Sequence, residues 1–328
     1  MTARAFWTVA AGRGEIRTEA LVEAGAEAGA GQRLVRTLAS GVSRGTEALV
    51  FAGRVPESQY AAMRAPLMGG DFPFPVKYGY AAVGRDAEGQ RVFVLHPHQD
   101  AFLAPAAMCI PVPDTVPTPR AVLAANMETA LNIAWDAAAL PGERILVVGA
   151  GVVGLLTGWL LARIPATVVT LADINPARAA PAAALGCRFA LPEAAPGEQE
   201  LVVHASASEA GLRLALDRAA FEGRIVEASW FGTAAPALPL GGAFHARRLR
   251  LIGSQVGSVA PAMRGRRSHG ERLATALALL DDPALDCLLE PPTRFAELPR
   301  AMPRLLAGGL CHVITYDAFT EEAGRCSA

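Results

Sequence analysis

Disulfide chemistry has little to work with in this sequence. The five cysteines, Cys109, Cys187, Cys287, Cys311 and Cys326, are odd in number and contain no CxxC pair, which argues against a disulfide framework and against a cysteine-built zinc site. Charge of one sign is also scarce. The 30 basic and 31 acidic residues leave a formal net charge of −1, so no broad positive field is available to hold nucleic acid. One local basic cluster, Arg264, Arg266 and Arg267 with Arg247, Arg248 and Arg250 upstream, reads as a solvated face. Long apolar runs are missing too: each is broken by Gly, Pro or Arg before it reaches the length that spans a bilayer. The first residues reach Gly12, Arg13 and Glu15 without the apolar core of a secretory leader. These absences lead to the expectation of a soluble protein in a reducing cytoplasm that acts on a small molecule.

What is present is apolar material and turns. The 328 residues are 52% hydrophobic and include 32 Gly and 24 Pro, enough for packed cores in two domains of roughly 150 residues each. The first part reads as short β-like pieces, Ala3–Thr8, Gln32–Ser40, Tyr78–Gly84, Gln90–Leu95 and Ala101–Ala104, which suggest a barrel-like unit. Between them Val55–Asp71, rich in Pro, Met and Gly, reads as a long excursion over a site. The proline-spaced run Pro111–Pro119 is a connector. Leu123, Met127, Leu131 and Trp135 then mark an amphipathic helix over Arg120–Ala139.

From Arg144 the pattern alternates between apolar runs and helices: Ile145–Val148, Gly151–Arg163, Thr167–Leu171, Pro176–Leu185, Leu201–His204, Ser208–Ala220, Arg224–Ala228 and Leu249–Ser254. This βαβ rhythm requires a parallel sheet, because parallel neighbours need crossover helices. The remainder reads as a helix Gly270–Leu280, a β-like Cys287–Pro291, a helix Leu298–Ala307 and a strand near Cys311–Tyr316. The expected division is 1–122, 123–266 and a return over 267–328.

The segment Ile145-Leu-Val-Val-Gly-Ala-Gly-Val-Val-Gly154 places GxGxxG directly between a strand and a helix. Gly149 permits the tight turn, Gly151 lets backbone approach a pyrophosphate, and Gly154 lets the helix pack close on the sheet. Val152 and Val153 open the helix, whose free N–H groups attract phosphate charge. A second strand ends at Asp173, 24 positions past Gly149. A carboxylate there accepts from both ribose hydroxyls and repels a 2′-phosphate, which favours NAD over NADP, although Arg178 could neutralise such a phosphate instead. A purely local reading, in which the glycines close a turn and Asp173 caps the helix at Asn175-Pro176, competes with it.

The order of these pieces resembles the medium-chain dehydrogenase/reductase superfamily over essentially the whole chain. The resemblance rests on Ser40-Gly-Val-Ser-Arg-Gly-Thr-Glu47, Tyr78-Gly-Tyr-Ala-Ala-Val-Gly84, Gln90-Arg-Val-Phe-Val94, Pro141–Gly154 and Leu251-Ile-Gly-Ser-Gln255. It implies an α/β chain with a GroES-like β-rich catalytic domain, an inserted Rossmann doubly wound parallel sheet, and an active site between the two. Zinc-type alcohol dehydrogenases of the superfamily carry a Cys in the first passage, Gly-His-Glu in the second, and a Cys or Glu before the interdomain helix. Here Ser43, Gly79-Tyr80-Ala81 and Ala125 stand at the corresponding places. A tetrahedral site needs three N, S or carboxylate ligands, so the expectation is no zinc. The stretch Ser40–Glu47 followed by Gly53-Arg54-x-Pro56 is similar to bacteriochlorophyllide hydroxyethyl dehydrogenases, which implies a secondary alcohol on a large or planar substrate.

Without zinc, hydride transfer from an alcohol needs a general base, and carbonyl reduction needs a donor for the developing oxyanion. The resemblance points Tyr80 toward the reacting centre and puts His96 at a substrate-pocket position; a packed aromatic and a polar His96-Pro-His98 turn are the alternatives. Ser43 and Glu47 either anchor substrate or cap local structure. Lys77 and Tyr78 flank Tyr80, and strand alternation would turn Tyr78 and Tyr80 to one face. Arg44 pairs with the pyrophosphate or with a surface carboxylate. His204, at the sheet's carboxyl edge, Ser254 in the last family-like passage, and Trp230 with Phe231 read as cofactor-adjacent. Three functions remain open: an NAD-dependent alcohol dehydrogenase or ketoreductase without zinc, an NAD(P)H-dependent quinone or enoyl reductase, and a non-catalytic nucleotide-binding module. A homodimer is an expectation by analogy.

Overall fold

A computed structural model describes residues 1–21 and 31–319; Cys326 lies outside them. The chain divides into two compact units, Met1–Ala125 with Leu273–Ala328, and Asn126–Arg272. Sequence reading put the changeovers at 122/123 and 266/267. In the structure they fall inside continuous helices, Ala124–Ala137 and His269–Leu279. The helix Ala124–Ala137 runs through its changeover with no proline or glycine to mark it, which is why the connector at Pro111–Pro119 was the nearest visible signal there. Among the described residues no helix is long and apolar enough to cross a membrane.

The first unit is built around the strand Gln32–Val42. It pairs antiparallel with Cys311–Thr315 and with Ala82–Asp86, and along its first half with Ala101–Pro105. The sheet continues outward through Leu289–Arg294 on one side and Arg91–Val94 and Ile110–Pro111 on the other. A second sheet has the order Arg13–Ala20, Thr2–Ala10, Val76–Lys77, Gly69–Gly70. Arg13–Ala20 has no fully buried residue; its backbone pairs with Thr2–Ala10 from Ala20 to Arg13, so no apolar alternation announced it. Phe6, Phe51, Phe295, Leu298 and Ile314 form one buried cluster of this unit, each side chain contributing about 1.5–3 kcal/mol by leaving water.

Two local departures from expectation position the site. The proposed strand Tyr78–Gly84 begins only at Ala82. Residues 78–81 leave the ladder at Gly79, whose φ of +131° no side-chain-bearing residue adopts readily. After Val42 the chain enters a helix that the sequence did not announce, Arg44–Phe51, with Val50 and Phe51 buried. Within Val55–Asp71, a 3₁₀ turn at Glu57–Gln59 runs into a short helix, Tyr60–Met63. The expected helix Arg120–Ala139 is split into Thr118–Ala121 and Ala124–Ala137.

The second unit holds a six-stranded sheet in which every pairing is parallel. Its spatial order is Arg188–Ala190, Val168–Ala172, Arg144–Val148, Gln199–His204, Ala219–Glu227, Arg250–Gly253. The chain thus starts in the middle, runs to one edge, and returns to build the other half, which is the doubly wound Rossmann order. Leu146, Val148, Val202, Leu212, Leu216 and Ile225 fill one face. The order reverses between Arg144–Val148 and Gln199–His204, so a crevice opens beyond Val148 and His204, where dinucleotides bind in such sheets.

Candidate active site and dinucleotide site

The turn Gly149–Gly151 leads from the central parallel strand into the helix Val152–Leu161. Gly149 has φ +104°, and a Cβ on it would sit 2.8 Å from the backbone of Ala205 and Ser206 on the neighbouring loop. A Cβ on Gly154 would run into the carbonyl oxygen of Gly149. These two glycines are therefore demanded by the protein's own packing. Gly151 is different: it has φ −75° and ψ −178°, and a Cβ there would meet no protein atom within 4 Å. It is the N-cap of the helix and supplies no side-chain cap, so the first N–H groups of Val152 and Val153 are left for another acceptor. A Cβ on Gly151 would therefore face open space in front of this helix end.

Asp173 follows the second parallel strand. Its Oδ2 accepts from the Ala150 N–H at 2.7 Å and its Oδ1 from the Asn175 N–H at 2.8 Å. The cap of the following turn is Asn175, whose Oδ1 accepts from Ala177 N–H at 3.0 Å. Asp173 thus reaches back to the glycine turn, and each carboxylate oxygen retains acceptor capacity. Arg178 ends the 3₁₀ turn after it and is half-buried. His204 is fully buried, and both ring nitrogens are occupied: Nδ1 by Glu227 Oε2 and Nε2 by Ser206 Oγ, each at 2.7 Å. Phe231 stacks on it at 5.9 Å, and Trp230 beside Phe231 is half-buried. Its ring is a strut of the crevice wall and offers no free nitrogen to a ligand. Ser254 donates to Asp136 Oδ2 at 2.6 Å.

In the first unit, antiparallel pairing of Ser40 with Ala82, and a bond from Gly41 N–H to Ala81 O at 2.8 Å, bring the end of Gln32–Val42 beside the Tyr78–Ala81 turn. Ser43 and Tyr80 meet there: the Tyr80 hydroxyl donates to Ser43 Oγ at 2.6 Å. Burial pushes the Tyr80 phenol above its ordinary value; hydrogen bonds to Ser43 and Thr46 oppose this and the Glu47 charge adds to it. Tyr78 turns elsewhere. Its hydroxyl donates to Met63 O at 3.0 Å, and its ring meets Tyr80 edge-on at 6.1 Å. Lys77 pairs with Glu19 at 2.7 Å and with Gln99 at 2.9 Å. Arg44 is the half-exposed first residue of its helix.

The two histidines of His96-Pro-His98 have unlike surroundings. His96 is buried, stacked 3.6 Å over Phe102, and its Nδ1 pairs with the carbonyl of Pro97 at 2.9 Å. Burial holds its imidazole down to about 3. His98 contacts Glu47 Oε2 through Nε2 at 3.0 Å and Ser40 Oγ through Nδ1 at 2.7 Å, and Ser40 Oγ in turn meets Tyr316 OH at 2.9 Å. Glu47 Oε1 accepts from the Ser43 N–H at 2.7 Å. His98, and not the sequence candidate His96, is thus the one bonded into the surroundings of Ser43. Ser40, Tyr316, Ser206 and Glu227 were not foreseen. Among the described residues no group of three or more His, Cys, Asp or Glu side chains is placed to hold a metal ion.

No family model matches the chain. Solved structures share its fold. A zinc-binding dehydrogenase of Sinorhizobium meliloti bound to NADP aligns with a TM-score of 0.75 and 16% identity over 96% of this chain and 99% of its own. L-idonate 5-dehydrogenase of Escherichia coli aligns at 0.76 and 14% over 96% and 98%. Benzyl alcohol dehydrogenase of Acinetobacter calcoaceticus aligns at 0.77 and 15% over 96% and 99%. The fold is therefore the one these dehydrogenases share: an antiparallel β-rich unit and a parallel Rossmann sheet.

Proposed function

We propose that this chain is a nicotinamide-dependent oxidoreductase that transfers hydride between NAD(P) and a secondary alcohol or its ketone, without a catalytic zinc. The observation that carries the proposal is the Tyr80–Ser43 hydroxyl pair, 2.6 Å apart, at the positions where zinc-type members hold metal ligands. Two hydroxyls and the methyl of Ala125 are not a ligand set for zinc. They suit proton exchange instead. The dinucleotide supplies the hydride chemistry; Gly151, Val152 and Val153 would hold its diphosphate, and Asp173 its adenosine ribose, with NAD preferred.

Tyr80 donates its proton toward a carbonyl oxygen as that oxygen gains negative charge, and Ser43 orients the phenol. Because Tyr80 is held above its ordinary value, it is a protonated donor at neutral pH, which suits ketone reduction; alcohol oxidation gains as pH rises. His96, stacked on Phe102 and held neutral, is assigned to packing.

The test is turnover of a panel of secondary ketones with NADH, for wild type and Tyr80→Phe, alongside calorimetry of NADH binding and metal analysis. A loss of roughly 10²-fold or more in kcat with NADH affinity retained is expected for Tyr80→Phe. Unchanged turnover would overturn the role of Tyr80 and move the reading to a quinone or enoyl reductase. One tightly held zinc per chain would overturn the metal-free part.

A further inference from the structure

The chemistry assigned to Ser43 and Tyr80 leaves a set of polar side chains behind them without a task. Glu47, His98, Ser40 and Tyr316 are all almost completely enclosed, at 3%, 1%, 0% and 3% exposure. They are joined end to end: Tyr316 OH to Ser40 Oγ at 2.9 Å, Ser40 Oγ to His98 Nδ1 at 2.7 Å, and His98 Nε2 to Glu47 Oε2 at 3.0 Å. The second Glu47 oxygen accepts from the backbone N–H of Ser43 at 2.7 Å. Taking a carboxylate out of water is expensive even when it is paired, and apolar residues of the same volume would pack at least as well. A carboxylate at this place therefore calls for a role beyond stability.

We infer that Glu47, clamped by His98, is the positioning residue of the Ser43–Tyr80 pair: it fixes the turn that presents Ser43 Oγ, and its charge adds to the hold Tyr80 keeps on its proton. This rests on the reading of Tyr80 as the proton-exchanging group. His98 also lies close against the segment that carries Tyr80: a Cβ at Gly79 would lie 3.3 Å from the His98 ring and backbone. Among the described residues, Tyr78, on its own segment, and Glu47, on the helix Arg44–Phe51, are ionisable groups that interact with Tyr80. Of these Glu47 is the carboxylate, and a negative charge nearby disfavours a phenolate.

The experiment places a fluorinated tyrosine, of lower intrinsic pKa, at position 80 and follows its titration by fluorine NMR in the full chain. No turnover is needed, so the result stands apart from whether the chain reduces ketones. Glu47→Gln keeps the shape and the bond to Ser43 N–H while removing the charge. It should lower the midpoint by roughly half a pH unit or more, the order expected when one nearby unit charge is removed. Asp71→Asn, which removes an exposed carboxylate of the same unit, should leave the midpoint in place. An unchanged midpoint in a Glu47→Gln protein that unfolds cooperatively overturns the inference, as does an equal shift in Asp71→Asn. Should Glu47→Gln fail to fold, the double variant Glu47→Met/His98→Met, which replaces both partners by apolar side chains, is read against the same two outcomes.

Discussion

The sharpest test of the dinucleotide site sets Gly151→Ala against Gly154→Ala, because the same added methyl meets opposite surroundings. At Gly151 the backbone has φ −75°, ψ −178°, and no protein atom stands within 4 Å of the new Cβ. Alanine is a poorer N-cap than glycine by roughly 0.5–1 kcal/mol, while the stiffer unfolded chain returns about 0.4–1 kcal/mol. The two nearly cancel, and stability should stay within about 1 kcal/mol of wild type. Gly154 lies inside the first turn of the helix, and its Cβ would meet the Gly149 carbonyl oxygen, a backbone atom fixed by the strand before it. Relief requires the helix to move off the sheet, at a cost of roughly 1–3 kcal/mol or more.

Binding discriminates further. A bare N-terminal turn in front of empty space suits a diphosphate drawn up against backbone, and a methyl on Gly151 occupies that approach. NADH at 100 times its Kd should stabilise wild type by about 2.7 kcal/mol, raising the melting temperature of a unit this size by roughly 5–10 °C. The assay is thermal unfolding with and without NADH, supported by calorimetry. Gly151→Ala should melt as wild type does and gain little or nothing from NADH, whereas Gly154→Ala should melt early. A Gly151→Ala protein that takes up NADH with wild-type affinity would refute the assignment of this turn to the diphosphate.

Asp173→Asn should erase the preference for NADH over NADPH, since an amide no longer repels a 2′-phosphate and accepts from fewer ribose hydroxyls; calorimetry with both dinucleotides reads it, and an unaltered ratio removes Asp173 from the ribose site. His96 gives an acid-stability prediction. Its folded value near 3 lies below the unfolded value near 6.5, so its contribution is present above about pH 6.5 and is lost as pH falls toward 3, amounting to at most about 5 kcal/mol. Urea midpoints measured between those pH values should fall less steeply for His96→Gln than for wild type; parallel slopes would contradict the buried neutral imidazole.

Much of the second unit was legible in sequence because its signals are local. A strand, a glycine turn and a helix lie within Arg144–Leu161, and the acid that serves them ends the next strand. Periodicity reports such units well, since each buries its own apolar face. The partner of His204 was legible in principle: the strands Gln199–His204 and Ala219–Glu227 each end in a titratable residue, and their parallel register sets His204 opposite Glu227. Two such strand ends one position past an apolar run are a pairing signal that needs only the sheet order.

The first unit resisted for the opposite reason. Which histidine of His96-Pro-His98 turns toward Ser43 depends on sheet contacts remote in sequence: the His98 carbonyl accepts from Phe6 N–H at 2.9 Å, and Gln99 bridges to Ala5. Alternation within Arg91–Val94 stops before either is reached, so neither could be ranked by period. Ser40 and Tyr316 touch across 276 positions, a separation at which no pattern carries information. The helix Arg44–Phe51 was overlooked because its first turn, Arg44-Gly-Thr-Glu47, was read residue by residue for chemistry. Yet that helix is what places the Glu47 carboxylate. It carries Glu47 one turn past Ser43, close enough for the carboxylate to hold the Ser43 N–H, while the strand before it delivers Ser43 to Tyr80. The Ser43–Tyr80 pair, 2.6 Å apart with the buried Glu47 carboxylate behind it, stands on a backbone of the fold shared with the zinc-binding dehydrogenase.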